Sequence, residues 1–144
     1  MIQQARLALL AFAFLSAQAF AEEPSGDAPE WRLVIQLRGH AAQCSIEGRL
    51  IHIRTRKQGE SADVEAAFKE ARGCVDAVLP RGRGFYREAL QAAPASKPVL
   101  AKAYASWMTY MDTLDVPAET EEQAVAKAAF ESAVSEIRAE LDSR

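Results

Sequence analysis

The sequence predicts an all-α protein: a small bundle of about four main helices, the first two forming an antiparallel N-terminal hairpin stapled by one disulfide. Three observations lead there. Apolar residues recur at helical spacing through most of the 144 residues. Prolines and glycines punctuate the gaps between those stretches. The only two cysteines, Cys44 and Cys74, stand equally far from Gly59 on either side.

Residues 1–21 carry the three parts of an export signal. Arg6 is the basic start, Leu7 to Leu15 is an uncharged apolar run, and Ala19-Phe20-Ala21 is a small-x-small cleavage pattern. The run is shorter than the about 20 apolar residues that span a bilayer. No cysteine near the cut could carry a lipid, so no membrane anchor is expected. Residues 22–29, EEPSGDAP, read as a disordered acidic leader. Residues 30–144 then form the helical domain, and the expected location is periplasmic or secreted.

The first helix is expected over about 30–57. Leu37, Ala41, Cys44, Gly48 and Ile51 fall on one face; Ile35, Ala42, Ile46, Leu50 and Ile53 fall on the opposite one. A helix apolar on two sides is normally buried between neighbours. Trp31, Leu33, Ile35 and Leu37 also alternate with polar residues, so a short strand at 31–37 is the alternative. Gly39 and Gly48 each cost about 1 kcal/mol relative to alanine inside a helix.

A turn is expected at Lys57–Glu60, with Ser61 capping the second helix. Val64, Ala67, Phe68, Ala71, Cys74, Val75, Val78 and Leu79 make the cleanest amphipathic stripe. Pro80 should end it, leaving Arg81–Gly84 as a loop and Phe85–Ala93 as a short helix stopped by Pro94. Leu100, Ala103, Tyr104, Trp107, Met108, Met111 and Leu114 mark the next helix, with Ser96 as its cap, and Pro117 breaks it. Thr120 and Gln123 form a capping-box signature ahead of the last helix, which buries Ala126, Phe130, Ala133, Val134, Ile137 and Leu141.

The cysteine spacing follows from the hairpin. Residues equidistant from its turn sit at the same height, and facing Cα atoms of packed helices can come within disulfide range. An even cysteine count in an exported chain points to a structural bond rather than a reactive thiol.

Composition narrows the function classes. The net charge is −3, and −4 once Arg6 leaves with the signal, which argues against a nucleic-acid binder. Charge is also uneven. Glu30–Lys57 holds six bases and two acids, whereas Asp115–Arg144 holds eight acids and three bases. Either these segments pack side by side, or the basic one meets an acidic partner. His40 and His52 are twelve apart, and no metal-ligand, haem-attachment or serine-nucleophile motif is present, so no metal, cofactor or catalytic residue is expected.

The candidate contacts are therefore surface features. Arg81, Arg83 and Arg87 with their glycines could meet a partner or clamp an anion. Arg49 and Arg56 line the basic edges of helix 1. Trp107 and Tyr110 are candidate apolar contacts, Tyr110 lying off the stripe and expected to face outward. The first reading is an exported protein-binding module, an inhibitor, neutralising protein or adaptor, with a homodimer as one way to cover helix 1. The alternative is a carrier of a small apolar or anionic ligand inside the bundle.

Overall fold

The computed structural model describes residues 26–144, and every regular element among them is helical. The export signal and residues 22–25 of the leader lie outside the described residues. Gly26 and Asp27 turn, Ala28 packs on the core, and Pro29 already opens helix α1. The last part of the expected leader thus belongs to the fold.

Four helices run up, down, up and down: α1 (Pro29–Gln58), α2 (Val64–Ala92), α3 (Lys97–Thr113) and α4 (Glu121–Asp142). The strand alternative at 31–37 is not taken. Trp31, Leu33, Val34 and Leu37 are all buried on one broad arc of α1, and Ile35 points outward.

The hairpin turns where expected. Gly59 has φ 58°, a conformation that costs side-chain-bearing residues energy, and a 3-10 turn follows over Gly59–Ser61. The cap of α2 is Asp63 rather than Ser61. Its Oδ1 accepts from the Ala66 N–H at 2.9 Å, while the Ser61 hydroxyl donates to the Gln58 carbonyl.

Cys44 and Cys74 are bonded across α1 and α2, with Cα atoms 5.6 Å apart and both residues buried. Fifteen residues on each side of the turn place them at one height, as the spacing implies.

Pro80 does not end α2. The helix runs through it to Ala92, so Arg81–Gly84 is helical and Phe85–Ala93 is not a separate element. A mid-helix proline loses one hydrogen bond and costs about 3 kcal/mol. Burial of Val75, Val78, Gly82 and Ala89 along one continuous face offsets that cost. Pro80 and Asp76 are exposed, so the carbonyl left without a donor is open to water.

α3 starts after a 3-10 turn at Pro94–Ser96, with Pro98 in its first turn, where a missing N–H is harmless. Ser96 holds the cap position, but its hydroxyl is committed elsewhere. It donates to Glu30 Oε1 at 2.6 Å. Thr120 caps α4 by accepting from the Gln123 N–H at 3.1 Å, while the Gln123 side chain donates to the Thr113 carbonyl instead of closing the box.

The core sits between all four helices around Trp107, which is fully buried and donates Nε1–H to the Leu37 carbonyl at 2.9 Å. The indole lies on Gly82, where a Cβ would come within 2.3 Å of it. Tyr86 of α2 stacks on Tyr104 of α3 with ring centroids 4.4 Å apart.

α1 and α2 are longer than α3, at roughly 45 Å against 25 Å for 30 and 17 residues. The Arg72–Asp115 ion pair marks where the end of α3 meets α2. Beyond it the hairpin tip stands alone, holding a small core of Ile51, Ala67 and Ala71 and leaving Val64 and Phe68 exposed.

Candidate functional site

α1 spends one apolar face on the core and leaves the other bare. Leu37, Ala41, Cys44 and Ile51 are buried, while Ile35, Ile46, Leu50 and Ile53 are about half exposed or more, Ile46 at 57% and Leu50 at 61%. Ala42 and Gly39 lie between them and are exposed as well. Of the two apolar faces read in the sequence, the fold covers only one. α2, α3 and α4 all lie on the same side of α1, so the second face has no neighbour.

These side chains form a line. At about 100° per residue, positions 35, 39, 42, 46, 50 and 53 fall within about 80° of one another, and Ile35 to Ile53 spans about 27 Å. An open groove lies at each end. One, about 430 Å³, runs between α1 and α2 beside Ile35, with Leu33, Phe85 and Ala89 on its walls and Arg32 and Glu88 among its lining. The other, about 520 Å³, adjoins Ile53, His52, Arg49 and Ala118.

The neighbouring outer side of α2 is built of small residues. Gly73, Ala77 and Pro80 are exposed and Gly84 half-exposed. A Cβ added at Gly39, Gly73 or Gly84 would meet nothing within 4 Å. None of these three glycines is required by packing inside the molecule, unlike Gly82.

Charge divides along the same line. Residues 29–92 carry eleven bases and eight acids, residues 93–144 five bases and nine acids. Part of this contrast is internal. Arg38 pairs with Glu131 of α4 and Arg49 with Glu119 just ahead of α4, joining basic α1 to the acidic C-terminal part, and Arg54 pairs with Glu70 of α2. Among the described residues, Arg32, Arg56, Lys57, Arg81, Arg83 and Arg87 form no ion pair.

The sequence-derived candidates are thus redistributed. Arg49 is held by Glu119, and Arg56 stands exposed near the hairpin tip. Arg81, Arg83 and Arg87 are exposed on α2. Because residues 81–84 are helical, Arg81 and Arg83 point about 200° apart, so they cannot clamp one anion. Their glycine amides belong to a helix, not to an open loop.

Tyr110 is buried at 6% rather than facing outward. α3 is covered by α4 as well as α2, which widens its buried arc, and the Tyr110 ring lies 6.5 Å from Phe130 of α4. Burial pushes its phenol pKa up, against a hydrogen bond with Ser45. Trp107 is sealed in the core, so neither aromatic is a surface contact.

His40 sits 5.9 Å from Phe85 and 6.5 Å from Trp107, and its buried Nδ1 has no partner. Burial, and then the charge of Arg81, hold its pKa below 6.5, so it is a neutral packing group at neutral pH. Among the described residues no His, Cys, Asp and Glu cluster is arranged to hold a metal ion, and no helix is long and apolar enough to cross a membrane.

What sequence reasoning missed is the α2 half of this surface. Its signal was present, since Gly73, Ala77, Pro80 and Gly84 recur at helical spacing, but a loop at 81–84 hid it. Comparison with family models, with curated proteins and with solved structures finds no match.

Proposed function

We propose that this chain is an exported protein-binding module that works without catalysis, in the manner of an inhibitor, neutralising protein or adaptor. The observation that carries this reading is the bare apolar line Ile35–Ile46–Leu50–Ile53 on α1. Exposed apolar stretches of this extent mark interaction sites, because leaving them in water forgoes about 25 cal/mol for each Å². The buried disulfide supports an oxidising compartment, in keeping with the export signal read in residues 1–21.

The ligand-carrier alternative loses its two supports. The space beside Trp107 is filled by Gly82, Leu37 and Tyr104, and the arginines of α2 diverge.

Site-specific photo-crosslinking tests the reading in the native compartment. A photoreactive side chain at Ile46 should yield a defined adduct with one protein, and the same group at the exposed Val125 of α4 should not. Identical adduct patterns from both positions would refute a docking role for α1.

A further inference from the structure

We propose that the outer face of the α1–α2 hairpin seats one acidic amphipathic helix of a partner protein. The apolar side of that helix lies along the isoleucine line of α1, and its carboxylates reach Arg32, Lys57 and Arg81. The inference rests on the protein-binding reading above and names the chemistry of the partner.

Shape supports a helix. α1 supplies protruding isoleucines, and beside them α2 supplies a shallow trough at Gly73, Ala77 and Gly84 that an apolar ridge can enter. Each mid-helix glycine costs about 1 kcal/mol relative to alanine, and no neighbour inside the molecule occupies the space it leaves. The groove of about 430 Å³ beside Ile35 has apolar walls, room for a large anchoring side chain, and Arg32 at its margin.

Charge selects the sign of the partner. The hairpin carries three more bases than acids. The arginines nearest α4 and the hairpin tip, Arg38, Arg49 and Arg54, are engaged by the chain's own carboxylates. Arg32, Lys57 and Arg81, which border the outer face, form no ion pair among the described residues. Complementary carboxylates on a partner would steer it to this face and fix its register.

A second copy fits less well. Antiparallel pairing of two α1 helices about the middle of the line would set Arg32 of one copy near Lys57 of the other, and neither has an ion-pair partner among the described residues. Parallel pairing in register would set Lys57 of one copy against Lys57 of the other. Like charges at such contacts cost affinity. A lipid surface also fits less well, since helices that lie on membranes carry aromatic anchors and a basic polar face. Here the exposed line Ile35, Ala42, Ile46, Leu50 and Ile53 carries no aromatic anchor, and uncharged Gln36 and Gln43 border it.

The test titrates the chain from residue 22 onward with two synthetic helical peptides, read by fluorescence anisotropy. Both peptides carry leucine at helical spacing, with glutamate at the remaining outer positions in one and lysine in the other. The acidic peptide should bind about tenfold more tightly at low salt, with the gap narrowing as salt rises. Gln36→Trp, which fills the groove from an exposed position, and Ile46→Glu should each weaken it. Arg32→Glu combined with Arg81→Glu should invert the preference, with circular dichroism checking that each variant remains folded.

Equal binding of both peptides, or preference for the lysine peptide, overturns the inference. So does binding to phosphatidylglycerol vesicles without binding to the acidic peptide, or a dimer by sedimentation that Ile46→Glu dissociates. A protein cross-linked from Ile46 that offers no acidic helix would overturn this inference while leaving the protein-binding reading intact.

Discussion

Gly82 and Gly39 both sit inside helices, yet alanine at the two positions should act in opposite directions. At Gly82 the added methyl group collides with the Trp107 ring at 2.3 Å, and that ring is fixed by its hydrogen bond to the Leu37 carbonyl. Overpacking of this kind costs about 1–3 kcal/mol. At Gly39 the methyl group enters open space, so only the gain in helix propensity remains, about 0.5–1 kcal/mol of added stability. Denaturant unfolding followed by tryptophan fluorescence checks both. A stable Gly82→Ala protein, or a destabilised Gly39→Ala protein, would contradict the packing described here. Gly39→Ala carries a second consequence, because a methyl group on the bare face of α1 should impede a helix that approaches closely there.

At the scale of elements, the four helices and the register of the hairpin were legible because they rest on local period and spacing. Cys44 and Cys74 each lie on the core-facing stripe of their helix, and equal distance from Gly59 sets their height. The break at Pro80 was not legible. Whether a proline ends a helix depends on how much apolar surface continues beyond it, and Gly82 disguised that continuity because its role is to admit Trp107. Ser96 takes the cap position that the sequence implies, but its hydroxyl is drawn away by Glu30, 66 residues distant in the chain. The bare face of α1 was half legible, since the pattern showed two apolar faces but not which one the neighbours would take. The disulfide offers an element-scale prediction. Cys44→Ala with Cys74→Ala should lower unfolding stability by roughly 3–4 kcal/mol for a loop of about 30 residues, on the chain-entropy model. Reduction of the wild-type protein should produce a similar loss. A loss well under 1 kcal/mol by either route would mean that packing alone holds the hairpin.

At the scale of the whole molecule, one buried carboxylate ties three distant parts of the chain together at the end opposite the hairpin tip. Glu30 of α1 is 1% exposed, accepts from the fully buried Ser96 hydroxyl ahead of α3, and accepts from Arg144 at 2.8 Å. Arg144 in turn bonds Glu140 of α4 at 2.6 Å, so this contact closes the bundle where the helix ends converge. Burial alone would push the Glu30 pKa up. Hydrogen bonds from Ser96, its own backbone and Arg144, together with the charge of Arg144, outweigh burial and bring it below 4.5. A carboxyl with a lower pKa in the folded state binds its proton more weakly there than in the unfolded chain. Its contribution to stability is therefore fully present above about pH 4.5 and is lost as pH falls through the folded value. Urea midpoints measured from neutral pH down to the acid range should fall in that window, and Glu30→Gln should flatten the fall. At neutral pH, Glu30→Ala should cost about 1–3 kcal/mol, because the buried Ser96 hydroxyl loses its acceptor. Arg144→Ala should cost less, since nearly half of its side chain is in water and solvent screens its ion pairs. The ranking separates a buried lock from a surface ion pair: equal losses for the two variants would place the stabilisation in the charge of Arg144 rather than in the sealed contact between Glu30 and Ser96.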